Sequence, residues 1–202
     1  RAIPVGVIDH TYSTDVLTDV VEADDRKGAA AVAHYLLKKG HRRIACLSTR
    51  EIEAQTWAVR RREAFEAVLE QRKDAQCRSW RLNSAGDNGL DVAIELLSSK
   101  FKPTAVFCVS DHEAKFVYGA AAHLGLAIPK DISVIGFNDL DFSEMLHPKL
   151  TTMHLDAELM GRHVAKMILA RLEDMAPDLS VVKVEAELVE RDSVAAPRQE
   201  NE

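Results

Sequence analysis

Two hydrophobic rhythms take turns along this chain. Residues 104–109 form an unbroken apolar run rich in β-formers, the pattern of a parallel strand covered on both faces. Ser110-Asp111-His112-Glu113 follows with capping-box spacing: Ser110 accepts from a backbone N–H while Glu113 reaches back. Ala114, Val117, Ala121 and Leu124 then fall on one helical stripe, and Gly125 supplies the left-handed residue that ends it. Beyond Pro129, residues 132–137 give the next apolar strand, which ends in Gly136-Phe137-Asn138-Asp139.

The same alternation runs to both sides. An apolar strand over 3–8 ends at Asp9 and a short strand covers 20–23. A helix capped by Asp24 or Asp25 carries Ala29, Val32, Ala33, Leu36 and Leu37, and stops at Lys38-Lys39-Gly40. A strand over 43–47 leads through a polar loop at 48–54 to a helix starting near Thr56, with Ala64, Phe65, Val68 and Leu69 inward. A strand over 79–82, a turn-rich stretch over 83–89 and a helix with Val92, Ala93, Leu96 and Leu97 inward return to the central unit. After Pro148 come a strand over 150–154 and a helix capped by Asp156 with Met160, Val164, Met167 and Ile168 in register. In the closing strand, Val182, Val184, Ala186 and Leu188 alternate with charged residues. Strand and helix alternate throughout, so the fold class is α/β with mainly parallel sheet. The strand over 3–8 has no unit before it, so its sheet is expected to continue upstream and to leave apolar surface bare.

Composition narrows the function. The 202 residues carry a formal charge of −6, which argues against this chain gripping nucleic acid unaided. No run approaches the length of a membrane span, and nothing at the start resembles a signal peptide. The three cysteines read as small buried hydrophobes, and His112, His147 and His154 are too scattered for a metal set, so no metal and no cofactor is expected. A Gly-rich phosphate loop and a Gly-x-Ser-x-Gly elbow are both missing, which argues against an enzyme.

Candidate chemistry gathers at strand ends, where parallel sheets present polar residues to a ligand crevice. Ser110, Asp111, Asn138 and Asp139 hold such positions, although helix capping and turn formation account for the same residue types. Arg60-Arg61-Arg62 is either a solvated face or a source of one guanidinium turned into the cleft. Residues about 100° apart on a helix cannot all point there.

Several ordered motifs resemble one family. They are Asp24-Asp25-x-x-Gly28, Gly40-His41-Arg42-Arg43-Ile44-Ala45, Pro103-Thr104-Ala105-Val106-Phe107, the run from Ile128-Pro129 to Gly136-Phe137, Pro148-x-Leu150-Thr151-Thr152, Met160-Gly161 and Leu188-Val189-x-Arg191-x-Ser193. Together they are similar to the effector-binding region of lactose/galactose-repressor (LacI/GalR) type transcription regulators. The resemblance implies a periplasmic-binding-protein-like fold of two parallel-sheet lobes around a cleft, joined by three crossovers. Residues 1–40 plus 151–174 would form a partial amino-terminal lobe, and residues 41–150 plus 175–197 the carboxy-terminal lobe, with 198–202 as a tail. The DNA-binding domain and first strand-helix units of such proteins have no counterpart in these residues. The implied function is binding of a small polar metabolite, a sugar, between the lobes of a cytoplasmic, homodimeric regulator. Its contact with operator DNA would run only through an amino-terminal domain outside this sequence. The alternative on the same fold is a solute-binding protein of a transport system. By the same comparison Arg61 clamps the ligand, Asn138 stands where many members carry aspartate, and Ser110 replaces a common asparagine. Gln55 and Trp57 line the cleft, Trp57 as a stacking surface, and Asp111 mainly caps the helix behind.

Overall fold

A computed structural model describes residues 3–8, 18–49, 56–82, 88–173 and 178–198. Two sheets organise it. In the larger, six strands run in the order β4-β3-β5-β6-β7-β9, where β3 is Arg43–Thr49, β4 Gln76–Leu82, β5 Ala105–Cys108, β6 Ser133–Asn138, β7 Thr151–His154 and β9 Glu187–Val189. All neighbours are parallel except β9, which pairs antiparallel to β7. The smaller sheet has the order β1-β2-β8, from Gly6–Ile8, Asp19–Ala23 and Val181–Val184, and is parallel throughout.

Both faces of the larger sheet are covered, as its uninterrupted apolar strands require. Helices α1 (Asp25–Lys38) and α2 (Thr56–Glu70), the latter through Phe65, close one face over Ile44, Phe107 and Phe137. Helices α3 (Gly89–Ser98) and α4 (Asp111–Leu124) close the other over Leu47, Val106, Val134 and Leu150. Because β4 and β5 leave β3 in opposite directions, the carboxyl ends of β3 and β5 form the switch point where doubly wound sheets open a crevice.

Among the described residues the smaller sheet is covered by α5 (Ala157–Leu172), through Met160 and Val164 against Val21 and Val184. Its far end is tied by Asp19, which accepts from Arg171 Nε at 2.6 Å and from Ser180 N at 3.0 Å. The Arg171 guanidinium holds that carboxyl down at about 2. Apolar surface remains bare there: Ile3, Val5, Ile8 and Val181 are all exposed, Val181 at 61%.

The lobe boundaries differ from those expected. The resemblance places helix α1 and strand β7 in the amino-terminal lobe, yet α1 packs on α2 and β7 sits inside the larger sheet. The single closing strand expected to carry Val182 to Leu188 is two: β8 completes the smaller sheet and β9 the edge of the larger. A period of two cannot say which sheet a residue joins. Val184 is buried with Val21 and Met160, whereas Leu188, on the other side of the crossing, pairs with Met153. The chain therefore passes between sheets at β2 to α1, β7 to α5 and β8 to β9.

Candidate functional site

Arg61 lies in the second turn of α2 and is 2% exposed. Burial of a guanidinium requires compensation, and Arg61 is compensated from several sides. Its Nε donates to Asp25 Oδ1 at 2.7 Å, and Nη1 donates to the Val109 carbonyl at 2.9 Å and to Asn138 Oδ1 at 3.0 Å. The guanidinium also stacks 3.8 Å from the Phe137 ring centroid and 4.7 Å from that of Trp57. The three consecutive arginines separate as helical spacing demands. Arg60 forks onto Asp25 Oδ2 at 3.0 and 2.9 Å, and Arg62 bridges to Glu66 one turn on at 2.8 Å. The run is thus no solvated face.

Asn138 ends β6 with φ of +106°, and Asp139 follows at +57°, so both form the turn at the strand tip. The Asn138 amide meets Ser110 Oγ at 3.5 Å, the outer limit of a hydrogen bond, while Ser110 Oγ accepts from His112 N to cap α4. Asp139 is held by Arg191 Nη1 at 2.8 Å and by His154 Nδ1 at 3.0 Å. His154 pairs in register with Asn138 across β6 and β7, which is why the two side chains share the sheet's open end.

Asp111 does other work than the capping expected of it, which falls to Ser110 alone. Its fully buried carboxyl accepts from Leu140 N at 2.8 Å, Ser143 Oγ at 3.0 Å and Thr152 Oγ1 at 2.6 Å. It lashes the strand-end loop after β6 and the start of β7 to the first turn of α4. Burial raises its pKa, and those three donors oppose the shift.

In front of these groups a cavity of about 730 Å³ opens between the tip of β6, the first turn of α4 and the β7–α5 crossover. Its walls include Asn138, Asp139, Phe142, His154, Leu155 and Asp156. Of the residues expected at the site, Asn138 lines this cavity directly. Arg61 and Ser110 touch Asn138 from behind, and Trp57 is half-buried against Arg61. Gln55 lies outside the described residues. The structure adds Asp25, His154 and Phe142. Asp25 resembles a helix cap in sequence, and only its partnership with two arginines marks it out. Among the described residues no group of three or more His, Cys, Asp or Glu side chains could hold a metal ion, and no helix is long and apolar enough to cross a membrane.

Residues 33–194 match the periplasmic binding protein-like domain. The chain belongs to that family, in its LacI/GalR branch. It is 32% identical over 197 residues to the HTH-type transcriptional repressor PurR of Yersinia pestis and 32% identical over 178 residues to that of Vibrio vulnificus. The matched part is 96% of this chain but 57% of the Yersinia protein, so the chain spans a little over half of that relative. A LacI family transcriptional regulator from Enterococcus faecium, solved with bound ribose, superposes with a TM-score of 0.84 at 27% identity, over 96% of this chain and 72% of that one.

Proposed function

We propose that this chain is the effector-sensing region of a bacterial transcription regulator. A small polar metabolite, a sugar, binds in the cavity between the strand tips of the larger sheet and the first turn of α5. The observation that carries this reading is the convergence of Asn138, backed by Arg61 and Ser110, on a cavity whose opposite wall belongs to the helix covering the smaller sheet. A ligand touching both walls changes the angle between the sheets, and linkage converts that change into altered DNA affinity, typically by about 1–3 kcal/mol. Operator contact would come from a segment outside this sequence, in a homodimer working in the cytoplasm. Similarity to PurR repressors and to a ribose-bound regulator supports the reading.

Arg61 positions the Asn138 carbonyl and Ser110 takes one amide N–H, leaving the other N–H for a ligand hydroxyl. Thermal-shift and calorimetric titration with ribose and other simple sugars tests this: a binding sugar raises the melting temperature. Asn138→Ala then weakens that sugar by roughly 1–3 kcal/mol, about 5- to 150-fold. Affinity unchanged in Asn138→Ala would remove this cavity from the site.

A further inference from the structure

We propose that this cleft selects against negative charge: its ligand is an uncharged, hydroxyl-rich metabolite, and the phosphorylated or carboxylated form of the same compound is rejected. The inference rests on the binding function proposed above and adds the charge class of the ligand. It comes from the cavity's lining, which among the described residues contains Asp139, Asp141, Asp156 and Glu158, with His112 and His154 as its basic side chains and neither Lys nor Arg. The arginines nearest to the cavity have their charge committed to the protein. Arg191 pairs with Asp139 at 2.8 Å and with Glu144 at 3.2 Å, and Arg162 pairs with Glu158 across one turn of α5. Arg61, which approaches from behind Asn138, faces buried Asp25 at 2.7 Å. Each of these three guanidiniums thus already has a carboxylate against it. The rest of the lining suits a neutral ring with hydroxyls: Phe142 and Leu155 offer apolar surface, and Asn138 offers an amide. The volume of about 730 Å³ falls within the range of small-molecule pockets. A phosphate entering here meets net like charge: Asp139 and Glu158 are balanced by Arg191 and Arg162, whereas Asp141 on the strand-end loop and Asp156 at the start of α5 add negative charge with no cation paired to them among the described residues. One of the four, Asp141, is exposed at the mouth and is free to be changed without touching a helix cap.

The test titrates the chain with matched pairs: ribose and ribose 5-phosphate, glucose and glucose 6-phosphate, glucose and glucuronate. The neutral member of at least one pair binds, and its charged counterpart binds at least about tenfold more weakly at low salt. That gap narrows as salt screens the carboxylates, and it narrows again in Asp141→Lys. A charged member binding as tightly as its neutral partner overturns the inference and leaves the binding function standing. A gap that neither salt nor Asp141→Lys alters is steric, and overturns the electrostatic account. Binding of no compound in any pair overturns the sugar-binding function itself, and this inference with it.

Discussion

Glu113 shows how one side chain sets a cost inside a site that is otherwise well compensated. It sits in the first turn of α4, 3% exposed, and its Oε2 finds no hydrogen-bond donor among the described residues. Burial pushes its pKa from 4.5 up to about 7, against the backbone and hydroxyl of Ser110 and the charge of Arg61. The capping box expected of Ser110 and Glu113 is therefore present in outline, at the price of a buried acid. The folded protein keeps this proton to higher pH than the unfolded chain does. Stability contributed by the protonated form is full below about pH 4.5 and is lost as pH rises through about 7. A displacement of that size corresponds to roughly 3 kcal/mol. Glu113→Gln removes the ionisation at nearly constant shape. Denaturant midpoints at pH 5 and pH 8 should show the parent losing roughly 3 kcal/mol more than the variant over that interval, and parallel losses would place Glu113 in a wetter setting. His41 works with the opposite sign. Burial between Thr104 and the Ala195 carbonyl lowers its pKa to about 4, so its contribution appears as pH rises from 4 through 6.5. Comparison of the Glu113 variant with its parent cancels it.

Elements are held in place by close approaches that the hydrophobic pattern does not announce. Gly136 lies in the middle of β6, where glycine normally weakens a strand. A Cβ there would stand 2.0 Å from Asp111 Oδ1, so the missing side chain is the space that the buried carboxylate occupies. Gly28 has the same part in α1, where a Cβ would stand 2.7 Å from Phe137 Cζ. These contacts seat α4 and α1 on opposite faces of the sheet, and with them Ser110 and Asp25 beside Arg61. Gly136→Ala displaces Asp111 from Leu140, Ser143 and Thr152. It should cost about 3 kcal/mol or more by overpacking and lost hydrogen bonds, read as a fall in melting temperature of roughly 6–12 °C. A melting temperature within about 2 °C of the parent would show that the Asp111 anchor is dispensable. Arg61→Ala is a poorer probe of binding for the same reason: it leaves the Val109 carbonyl without this donor and Asp25 with one arginine fewer.

At the scale of the whole molecule, the two sheets are unequal. The larger has two covered faces and the aromatic core of Phe65, Phe107 and Phe137, whereas the smaller leans on α5 and leaves Ile3, Val5, Ile8 and Val181 exposed. Local stability follows buried apolar contact. Amides of β2 and β8 should therefore exchange hydrogen faster than those of β5 and β6, by a margin that shrinks when ligand bridges the sheets. Equal protection in both sheets would mean that the smaller one is stabilised by something other than its own packing. Sheet surface of this kind also invites pairing with other chains, so self-association at high concentration is the accompanying expectation.

How much of this was legible in the residues depends on the range over which each signal acts. Apolar period and local capping are nearest-neighbour physics. They place α1 to α5 and the central strands, name the switch from strand to helix at Ser110, and bring Asn138 to a strand end. The choice of Arg61 from three consecutive arginines came from family resemblance, since periodicity says only that the three diverge. The assignment of α1 and β7 to the larger sheet, the splitting of the last strand between two sheets, and the true work of Asp111 and Asp25 were decided by tertiary contact. Asp25 is one more acid at a helix start until two guanidiniums close on it, and Gly136 is an ordinary strand glycine until a carboxylate fills the space beside it. The sequence by itself determined which segments become strands and helices, because those preferences are paid in local backbone and burial terms. Only the folded chain decided which charges cancel and which cavity they face, because Coulomb and steric terms depend on distances between residues far apart in the sequence.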